Sequence, residues 1–384
     1  MYQILTLNKI SQSGLAHFDA AKFACSDSIE NPDAIIVRSA SLHETELPAN
    51  LLAVARAGAG VNNIPIDKCT EHGVCVFNTP GANANAVKEL TICALFLASR
   101  KIVDGAKWCE GLKGEGDQVS KKVEKGKSAF AGPEIMGKTL GVIGLGAIGV
   151  LVANAAKALG MRVIGFDPFL SPAAKETLDP AVGIVDLDAI FTESDYVTVH
   201  APLTDSTRSV VGAGNLSKAK DGVRVLNFSR AELVNEADIL AALASGKCAA
   251  YATDFPTDAE LGVPGVIALP HLGASTPEAE ENCAVMAVEQ LADFLENGNV
   301  KNSVNLPALY LPAKGKARIT AITVGDQSAA LASVLSQAGV SVTQSAFADK
   351  KGIGYCIFDT QAEITDELIE QLRNTENVLA IRII

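Results

Sequence analysis

Three glycines between two apolar segments form the most informative chemical pattern of the sequence. Gly144, Gly146 and Gly149 have the spacing Gly-x-Gly-x-x-Gly, after an apolar run and before an amphipathic helical pattern. In that context the first glycine permits a tight turn, the second lets a pyrophosphate approach the backbone, and the third lets helix and strand pack closely. The helix would begin near Ala147 and Ile148, whose free N–H groups can bind an anion. The pattern predicts a dinucleotide site.

An acidic residue follows at the spacing expected for a ribose contact. Asp167 ends a second apolar run, 18 residues beyond Gly149, where a carboxylate accepts a hydrogen bond from the 2′-hydroxyl of the adenosine ribose. Because the same carboxylate would repel a 2′-phosphate, the sequence favours NAD over NADP as the cofactor.

Two histidines and an arginine come where predicted strands end, and these residue types suit hydride transfer. Such a reaction needs an acid–base group at the carbinol oxygen and a cation for a neighbouring carboxylate. Histidine suits the first role because its ordinary pKa is about 6.5, and Arg230 suits the second through its bidentate fork. His200, followed by Ala201 and Pro202, could line a cofactor cleft, and His271 follows a later strand. Position alone leaves His200 and His271 as equal candidates for the acid–base group.

The elements that must position these residues form an α/β pattern with parallel crossovers. The glycine turn lies in the middle of the chain, preceded by one series of strands and helices and followed by a long helical stretch, Pro277–Glu296. This order predicts a nucleotide-binding domain inserted into a discontinuous outer domain. The last 70 residues have a βαββαβ pattern, which predicts a small α+β module.

We therefore expect three domains. Residues 1–95 and 281–311 are assigned to a substrate-binding domain, residues 96–280 to the nucleotide-binding domain, and residues 316–384 to the small module. The Asn- and Pro-rich segment Val300–Pro312 is expected to be a linker.

Composition excludes several classes of protein. The chain has 384 residues, with 32 Lys and Arg against 44 Asp and Glu, for a net charge of −12. Such a surface repels nucleic acid and anionic membranes, so neither is an expected partner. The longest apolar run, Ile92–Ala98, is too short to span a bilayer, and no targeting segment is apparent. Eight scattered cysteines without a CxxC pair indicate reduced thiols in the cytoplasm and no metal site.

Four segments, in this order, resemble the D-isomer-specific 2-hydroxyacid dehydrogenase family. They are GLGAIG with the later FDP, HAPLTDSTRSVVG, LNFSRAELVNEADIL and PHLGASTPEAEENCA. The resemblance implies a Rossmann domain inserted in a flavodoxin-like substrate domain, with NAD as the cofactor of a hydroxyacid oxidation.

The resemblance also assigns roles to residues. The family's catalytic groups are an arginine, a glutamate and a histidine, and Arg230 and His271 match the first and last. For the carboxylate that supports the histidine, Glu260 is the first choice and Asp258 the second. Asp254 matches the family's acid at the nicotinamide carboxamide. In this scheme His271 takes the proton of the C2 hydroxyl while hydride moves to nicotinamide C4.

Further binding residues follow from the same analogy. The cofactor set is extended by Phe228, Ser229, Gly273 and Ala274. The expected cradle for a substrate phosphate or carboxylate combines arginine side chains with backbone amides, and its residues are Arg38, Ser39, Arg56, Gly58, Ala59 and Gly60. Lys88 replaces a small residue usual in the family and could add a cation.

Within the family, the segments VRSAS (37–41), RAGAGVNNI (56–64) and NTPGANANAVKELT (78–91) are similar to members that oxidise 3-phosphoglycerate to 3-phosphohydroxypyruvate in L-serine biosynthesis. The C-terminal module resembles an ACT domain. Its first turn, Val324–Gln327, lacks the His/Asn-x-Pro-Gly motif of serine-binding ACT domains, and Ser341 replaces an asparagine. A structural or oligomerising role is therefore favoured over serine feedback.

The resemblance implies a homodimer or larger homo-oligomer that uses the segment 108–138. That segment includes the polar stretch 110–127, which is expected to be a solvated arm. Two other functions stay open. One is reduction of an unphosphorylated acid such as glyoxylate, hydroxypyruvate or pyruvate (a D-lactate dehydrogenase), and the other is NAD sensing by an inactive scaffold.

Overall fold

The computed structural model describes all residues from 1 to 384. Its strands are β1 (Tyr2–Leu7), β2 (Phe23–Ser26), β3 (Ala34–Val37), β4 (Ala53–Arg56), β5 (Cys75–Phe77), β6 (Thr139–Ile143), β7 (Arg162–Phe166), β8 (Gly183–Ile184), β9 (Tyr196–Val199), β10 (Val223–Asn227), β11 (Cys248–Thr253), β12 (Val266–Ala268), β13 (Ala317–Val324), β14 (Val342–Lys350), β15 (Ile353–Thr360) and β16 (Val378–Ile383).

The α-helices alternate with these strands. They are α1 (Gln12–Leu15), α2 (Ile66–Glu71), α3 (Ala84–Ser99), α4 (Ile102–Glu110), α5 (Val119–Gly126), α6 (Ala147–Ala158), α7 (Pro172–Thr177), α8 (Leu187–Glu193), α9 (Ala213–Lys218), α10 (Glu236–Ser245), α11 (Pro277–Asn297), α12 (Ser328–Gln337) and α13 (Asp366–Arg373). No helix combines the length and the apolar character needed to cross a membrane.

The first sheet is parallel, with the strand order β2-β1-β3-β4-β5. Its strands are short apolar runs because both faces are covered. Ile36 and Phe77 contribute to the core on one face, with α11, while Ile35 and Val76 contribute to the core on the other. The order is that of a flavodoxin-like fold, as predicted.

The second sheet is also parallel, with the order β12-β11-β10-β9-β6-β7-β8. The order reverses at β6, which lies between β7 and β9, and this is the doubly wound arrangement of a Rossmann domain. Ligands bind such sheets outside the carboxyl ends of the strands at the reversal. The predicted Rossmann domain is confirmed, and its site residues follow the strands at that edge.

The third sheet is antiparallel, with the order β14-β15-β13-β16, in the βαββαβ connectivity of a ferredoxin-like module. This agrees with the predicted ACT-like fold. One face of the sheet, including Phe358, packs on α12 and α13. Ile322, Tyr355 and Ile357 on the other face belong to the core that also contains Phe294 of α11. The module therefore shares a core with the first sheet's domain.

The chain divides into two compact units, which differ from the three expected domains. One unit comprises Met1–Asn83 and Pro277–Ile384, and the other comprises Ala84–Thr276. The units meet along the chain at the starts of α3 and α11, and the assignment of three domains stays a prediction. The C-terminal module belongs to the first unit because of the shared core.

The expectation of a linker at Val300–Pro312 was wrong. Val300 pairs with Leu309, and Ser303 pairs with Phe77 of the first sheet. The Asn305 side chain accepts a hydrogen bond from the Val76 amide and donates one to the Val74 carbonyl. These contacts, together with the burial of Leu306, anchor the segment to its unit.

Candidate active site

The glycine turn joins β6 to α6, and its three glycines differ in their surroundings. A Cβ on Gly149 would lie 1.9 Å from the Gly144 carbonyl oxygen, so the turn can close only on a glycine. Gly144 has φ +90°, and a Cβ there would lie 2.8 Å from the Ala201 amide nitrogen. A Cβ on Gly146 would meet no atom within 4 Å. The turn is therefore closely packed at its first and third glycines and open at the second.

The open side of the turn is the N-terminus of α6. Gly146 is the residue before the helix, and no side chain caps the helix there. The first amides of α6, at Ala147 and Ile148, are consequently available to a negatively charged ligand, and the helix dipole favours such a ligand. The observed turn meets the requirements of a pyrophosphate site.

Asp167 follows β7 and is bound to the same turn. Its carboxylate accepts a hydrogen bond from the Leu145 amide at 2.8 Å and from the Phe169 amide at 2.8 Å. Leu145 lies between the first two glycines, so these bonds fix the acid beside the turn. An ionised carboxylate still has lone pairs to accept a ribose hydroxyl.

A fully buried asparagine shapes the loop that carries Arg230. At the end of β10, the Asn227 amide group donates to the Arg230 carbonyl oxygen at 2.8 Å and accepts from the Ser229 amide at 3.2 Å. The Ser229 hydroxyl donates to the Val199 carbonyl oxygen at 2.8 Å. Phe228 is buried in the domain core, whereas the Arg230 side chain is exposed. The Arg230 Nη1 donates to the Ser229 carbonyl oxygen at 2.6 Å, so the loop is held by its backbone and the guanidinium lies on the exposed side of the loop.

Asp254, His271 and Arg230 form one electrostatic cluster. Asp254 follows β11 and is 2% exposed. The Gly273 amide faces its carboxyl group, but neither carboxyl oxygen makes a hydrogen bond of normal geometry. Burial raises the pKa of Asp254, while the charges of His271 and Arg230 act in the opposite direction. The unsatisfied oxygens suit a ligand that donates hydrogen bonds, such as a carboxamide.

The His271 ring is exposed, after β12, and lies beside the Phe255 ring with 4.6 Å between centroids. No carboxylate forms an ion pair with it in the structure. Its neighbour Gly273 is buried against Val87, and Ala274 is half-buried. The charges of His271 and Arg230, which sequence reasoning placed in one site, therefore both act on the buried carboxyl group of Asp254.

The structure does not pair Glu260 with His271. Glu260 is buried, and its carboxylate accepts a hydrogen bond from the Thr257 amide at 3.1 Å. Burial raises the pKa of Glu260, and the negative charge of Glu236 raises it further. Asp258 is exposed. The carboxyl group whose charge acts on His271 here is that of Asp254, because the turn after Pro256 directs Glu260 back onto its own loop.

His200 differs from His271 in its surroundings. It is half-buried at the end of β9, its Nε2 lies 3.0 Å from the Thr198 hydroxyl, and its buried Nδ1 has no partner. Burial lowers the pKa of His200 to about 3. His200 therefore stays neutral near pH 7 and is poorly suited to proton transfer. The next residue, Ala201, lies against Gly144 of the glycine turn. The Pro202 carbonyl oxygen accepts a hydrogen bond from the Thr207 hydroxyl.

The predicted anion cradle lies in the first unit, after β3 and β4. The Arg56 Nε donates to the Arg38 carbonyl oxygen at 3.1 Å. A Cβ on Gly58 would lie 2.3 Å from Arg56 Nη1, so the guanidinium packs directly on the glycine backbone. Arg38 Nη2 lies 2.8 Å from Glu280 Oε1, on the first turn of α11. The two arginines are thus neighbours, and Arg38 forms an ion pair with Glu280.

Asparagines fix the backbone of this cradle. Asn8 Oδ1 accepts from the Ser39 amide at 2.9 Å, and Asn78 Nδ2 donates to the Ala59 carbonyl oxygen at 2.7 Å. Gly60 is half-buried beside them in the chain. Asn8, Asn78 and Asn227 were missed by sequence reasoning. Their common signal is an asparagine at or next to the end of a strand, where a short amide side chain can bond neighbouring backbone.

Lys88 belongs to the other unit, on α3. Its ammonium lies 3.6 Å from Glu89 Oε1, and its side chain is 22% exposed. Its role as an additional cation for the substrate stays a prediction.

Three comparisons relate this chain to known proteins. Residues 94–273 match the family model "D-isomer specific 2-hydroxyacid dehydrogenase, NAD binding domain". A hydroxypyruvate reductase of Thermotoga maritima is 39% identical over 275 residues, which cover 68% of this chain and 85% of that protein. A D-3-phosphoglycerate dehydrogenase of Archaeoglobus fulgidus is 36% identical over 315 residues, covering 79% of this chain and 56% of that protein. The chain therefore spans little more than half the length of that relative.

A solved structure gives the same result. The NAD⁺-bound 3-phosphoglycerate dehydrogenase of Entamoeba histolytica has a TM-score of 0.60 and 25% identity, over 80% of this chain and 99% of that chain. The matched family domain contains the glycine turn, Asp167 and Asp254, so the cofactor is NAD. By sequence match, by topology and by the residues at the carboxyl edge of its second sheet, the chain belongs to the D-isomer-specific 2-hydroxyacid dehydrogenase family.

Proposed function

We propose that the protein is an NAD-dependent D-3-phosphoglycerate dehydrogenase, which oxidises 3-phosphoglycerate to 3-phosphohydroxypyruvate for L-serine biosynthesis. The observation that carries the proposal is the placement of Arg230, Asp254 and His271 after the adjacent strands β10, β11 and β12. Their strands end at the same edge as β6, which leads into the glycine turn. The names of several relatives support the choice of substrate.

In the proposed mechanism the protein binds, orients and exchanges a proton. Bound NAD supplies the hydride acceptor. His271 accepts the proton of the substrate C2 hydroxyl in oxidation and returns it in reduction, a role worth about 10²–10⁴-fold in rate. Arg230 holds the substrate carboxylate and polarises the carbonyl oxygen as it forms. Asp254 accepts a hydrogen bond from the carboxamide and supports the positive charge of His271.

The His271 partner is part of the proposal. We propose that, besides Asp254, a carboxylate of the following loop supports His271 when substrate is bound, with Glu260 as the first candidate and Asp258 as the second. The burial of Glu260 and its hydrogen bond from the Thr257 amide support a structural role for it in the free protein. Asp258 is exposed on the same loop, only two residues away, and so is the more available of the two.

The remaining substrate contacts are assigned to the first unit. Arg38 and Arg56, with Ser39 and the backbone of residues 58–60, are proposed to bind the substrate phosphate, and Lys88 is proposed as a further cation. Support comes from the packing of the Arg56 guanidinium on Gly58 and from the asparagine side chains that hold the neighbouring backbone.

A second candidate function is reduction of unphosphorylated hydroxypyruvate or glyoxylate. The Thermotoga maritima hydroxypyruvate reductase favours it, since this chain covers 85% of that protein. The pairing of Arg38 with Glu280 favours it too, because the pair places a negative charge beside the cradle. An inactive NAD-sensing scaffold is disfavoured by the retention of both Arg230 and His271.

The organisation of the molecule is also proposed. We assign the substrate-binding, NAD-binding and ACT-like domains as given from the sequence, and place the protein in the cytoplasm. We further propose a homodimer through the segment 108–138. This assignment is supported by helices α4 and α5, in which no residue is buried, and by the contact between the aromatic rings of Trp108 and Phe130.

Steady-state kinetics with NADH tests the proposed substrate. We expect kcat/KM for 3-phosphohydroxypyruvate to exceed that for hydroxypyruvate and for glyoxylate at least tenfold. A higher value for hydroxypyruvate would instead establish the second candidate function, and the absence of turnover with all three would support the NAD-sensing scaffold.

A further inference from the structure

A negatively charged side chain lies within the cluster of residues proposed to bind the substrate's anionic group. Arg38 Nη2 and Glu280 Oε1 are 2.8 Å apart, at 37% and 40% side-chain exposure. Arg56 joins them through its bond to the Arg38 carbonyl oxygen. The cluster therefore holds two guanidinium groups and one carboxylate, and it is open to solvent.

A buried thiol shows that all three charges act on one region. Cys283 lies on α11, one turn after Glu280, and is 5% exposed. The positive charges of Arg56 and Arg38 favour the thiolate form of Cys283, and the negative charge of Glu280 disfavours it. The positive potential of the cradle is consequently reduced by the carboxylate.

The ion pair adds little to folding stability. Pairs between partly exposed groups contribute little to stability, because solvent screens them and two long side chains must be ordered. Glu280 lies in the first turn of α11, where the helix dipole favours a carboxylate with or without Arg38. The main consequence of the pair is therefore for what Arg38 can bind.

We propose that Glu280 determines the preference of this cradle between phosphorylated and unphosphorylated substrates, by occupying Arg38 and repelling a dianion. This inference rests on the proposed function, because it takes Arg38 as a substrate contact. A phosphate carries up to two negative charges at neutral pH, so it must share or displace Glu280 and lie close to its charge. A substrate with a hydroxyl group in place of the phosphate neither has to displace Glu280 nor is repelled by its charge.

Paired binding measurements test the proposal without turnover. The full-length protein saturated with NADH is titrated by calorimetry with 3-phosphoglycerate and with D-glycerate, which differ only in the phosphate. We expect Glu280→Gln to lower the Kd of 3-phosphoglycerate about fivefold and to change the Kd of D-glycerate less than twofold. The control is Glu281→Gln, which removes the same charge from the next, exposed position of α11 and should change neither value.

The outcomes separate this inference from the proposed function. The inference would be overturned if the ratio of the Kd for 3-phosphoglycerate to the Kd for D-glycerate were unchanged or higher in E280Q than in wild type. It would also be overturned if neither wild type nor E280Q bound 3-phosphoglycerate. If wild type binds 3-phosphoglycerate weakly and does not reduce 3-phosphohydroxypyruvate, the proposed function fails. A fivefold gain in E280Q would in that case still support the role of Glu280.

Discussion

At the scale of single residues, environment rather than residue type distinguishes the two histidines at strand ends. His200 and His271 both follow strands of the second sheet, and position left them equal. The structure half-buries His200 and leaves its buried Nδ1 without a partner, and it exposes His271 beside Phe255 and Asp254. A histidine kept neutral by burial is a poor acid–base catalyst, so the two residues have different expected roles.

The buried histidine predicts a specific acid sensitivity. The pKa of His200 is about 3 in the folded state against about 6.5 in the unfolded state. Between these values the unfolded chain binds a proton that the folded chain does not, so stability falls as the pH falls. From pH 7.5 to pH 5.0 we expect His200 to cost about 2 kcal/mol of unfolding free energy. Urea unfolding of wild type and His200→Asn at these two pH values measures this cost. Equal losses of unfolding free energy in the two proteins would refute the low pKa of His200.

At the scale of elements, the glycine turn separates packing from ligand access. Gly149 touches the Gly144 carbonyl oxygen, whereas Gly146 faces no protein atom. The sequence motif includes all three glycines, but in the structure only Gly144 and Gly149 are needed for the fold. The backbone at Gly146 therefore stays open for a ligand to approach.

A pair of substitutions tests this division. Gly149→Ala forces β6 and α6 apart and should lower the Tm by several degrees as well as weaken NADH binding. Gly146→Ala should leave the Tm within about 2 °C of wild type but raise the Kd for NADH at least tenfold, because its methyl group occupies the place of the pyrophosphate. Thermal melts and fluorescence titrations give both values. Tight NADH binding by G146A would contradict the assignment of the turn.

Regular elements were predictable from sequence, and local irregularities were not. The apolar runs Thr139–Ile143, Arg162–Phe166 and Val223–Phe228 predict strands, and β6, β7 and β10 lie at these positions. The apolar positions after Asn85 predict one helix that runs to about Ala106, but in the structure Arg100 and Lys101 separate α3 from α4. The conformation of Glu260 could not be predicted either, since it depends on one hydrogen bond inside an irregular loop.

At the scale of the whole molecule, the C-terminal module is joined to the first unit by a core and by buried charges. Arg318 and Asp359 form two hydrogen bonds, of 2.7 and 2.8 Å, at 4% and 1% exposure. Arg318 also donates to the Asn297 carbonyl oxygen at the end of α11, and Arg382 donates to those of Phe294 and Leu295. Cations at a helix C-terminus are favourable. The sequence pattern identified the module but carried no sign of this attachment.

Removing one charge of the buried pair should destabilise the molecule. Burial opposes ionisation of Asp359, but hydrogen bonds from Arg318 and Gln344 outweigh it and hold its pKa below the ordinary value. Asp359→Asn would leave a buried cation and should cost about 3–5 kcal/mol of unfolding free energy. Glu363→Gln, an exposed site in the same module, should cost less than about 0.5 kcal/mol. Similar losses in both variants would show that the pair does not hold the module in place.

The central claim is that His271 transfers the substrate proton in an NAD-dependent dehydrogenase. Its most direct test is NADH oxidation with 3-phosphohydroxypyruvate by wild type, His271→Asn and the exposed control His72→Asn. We predict turnover by wild type and H72N, and a loss of at least 100-fold in kcat for H271N with its Kd for NADH unchanged. Undiminished turnover by H271N would contradict the account.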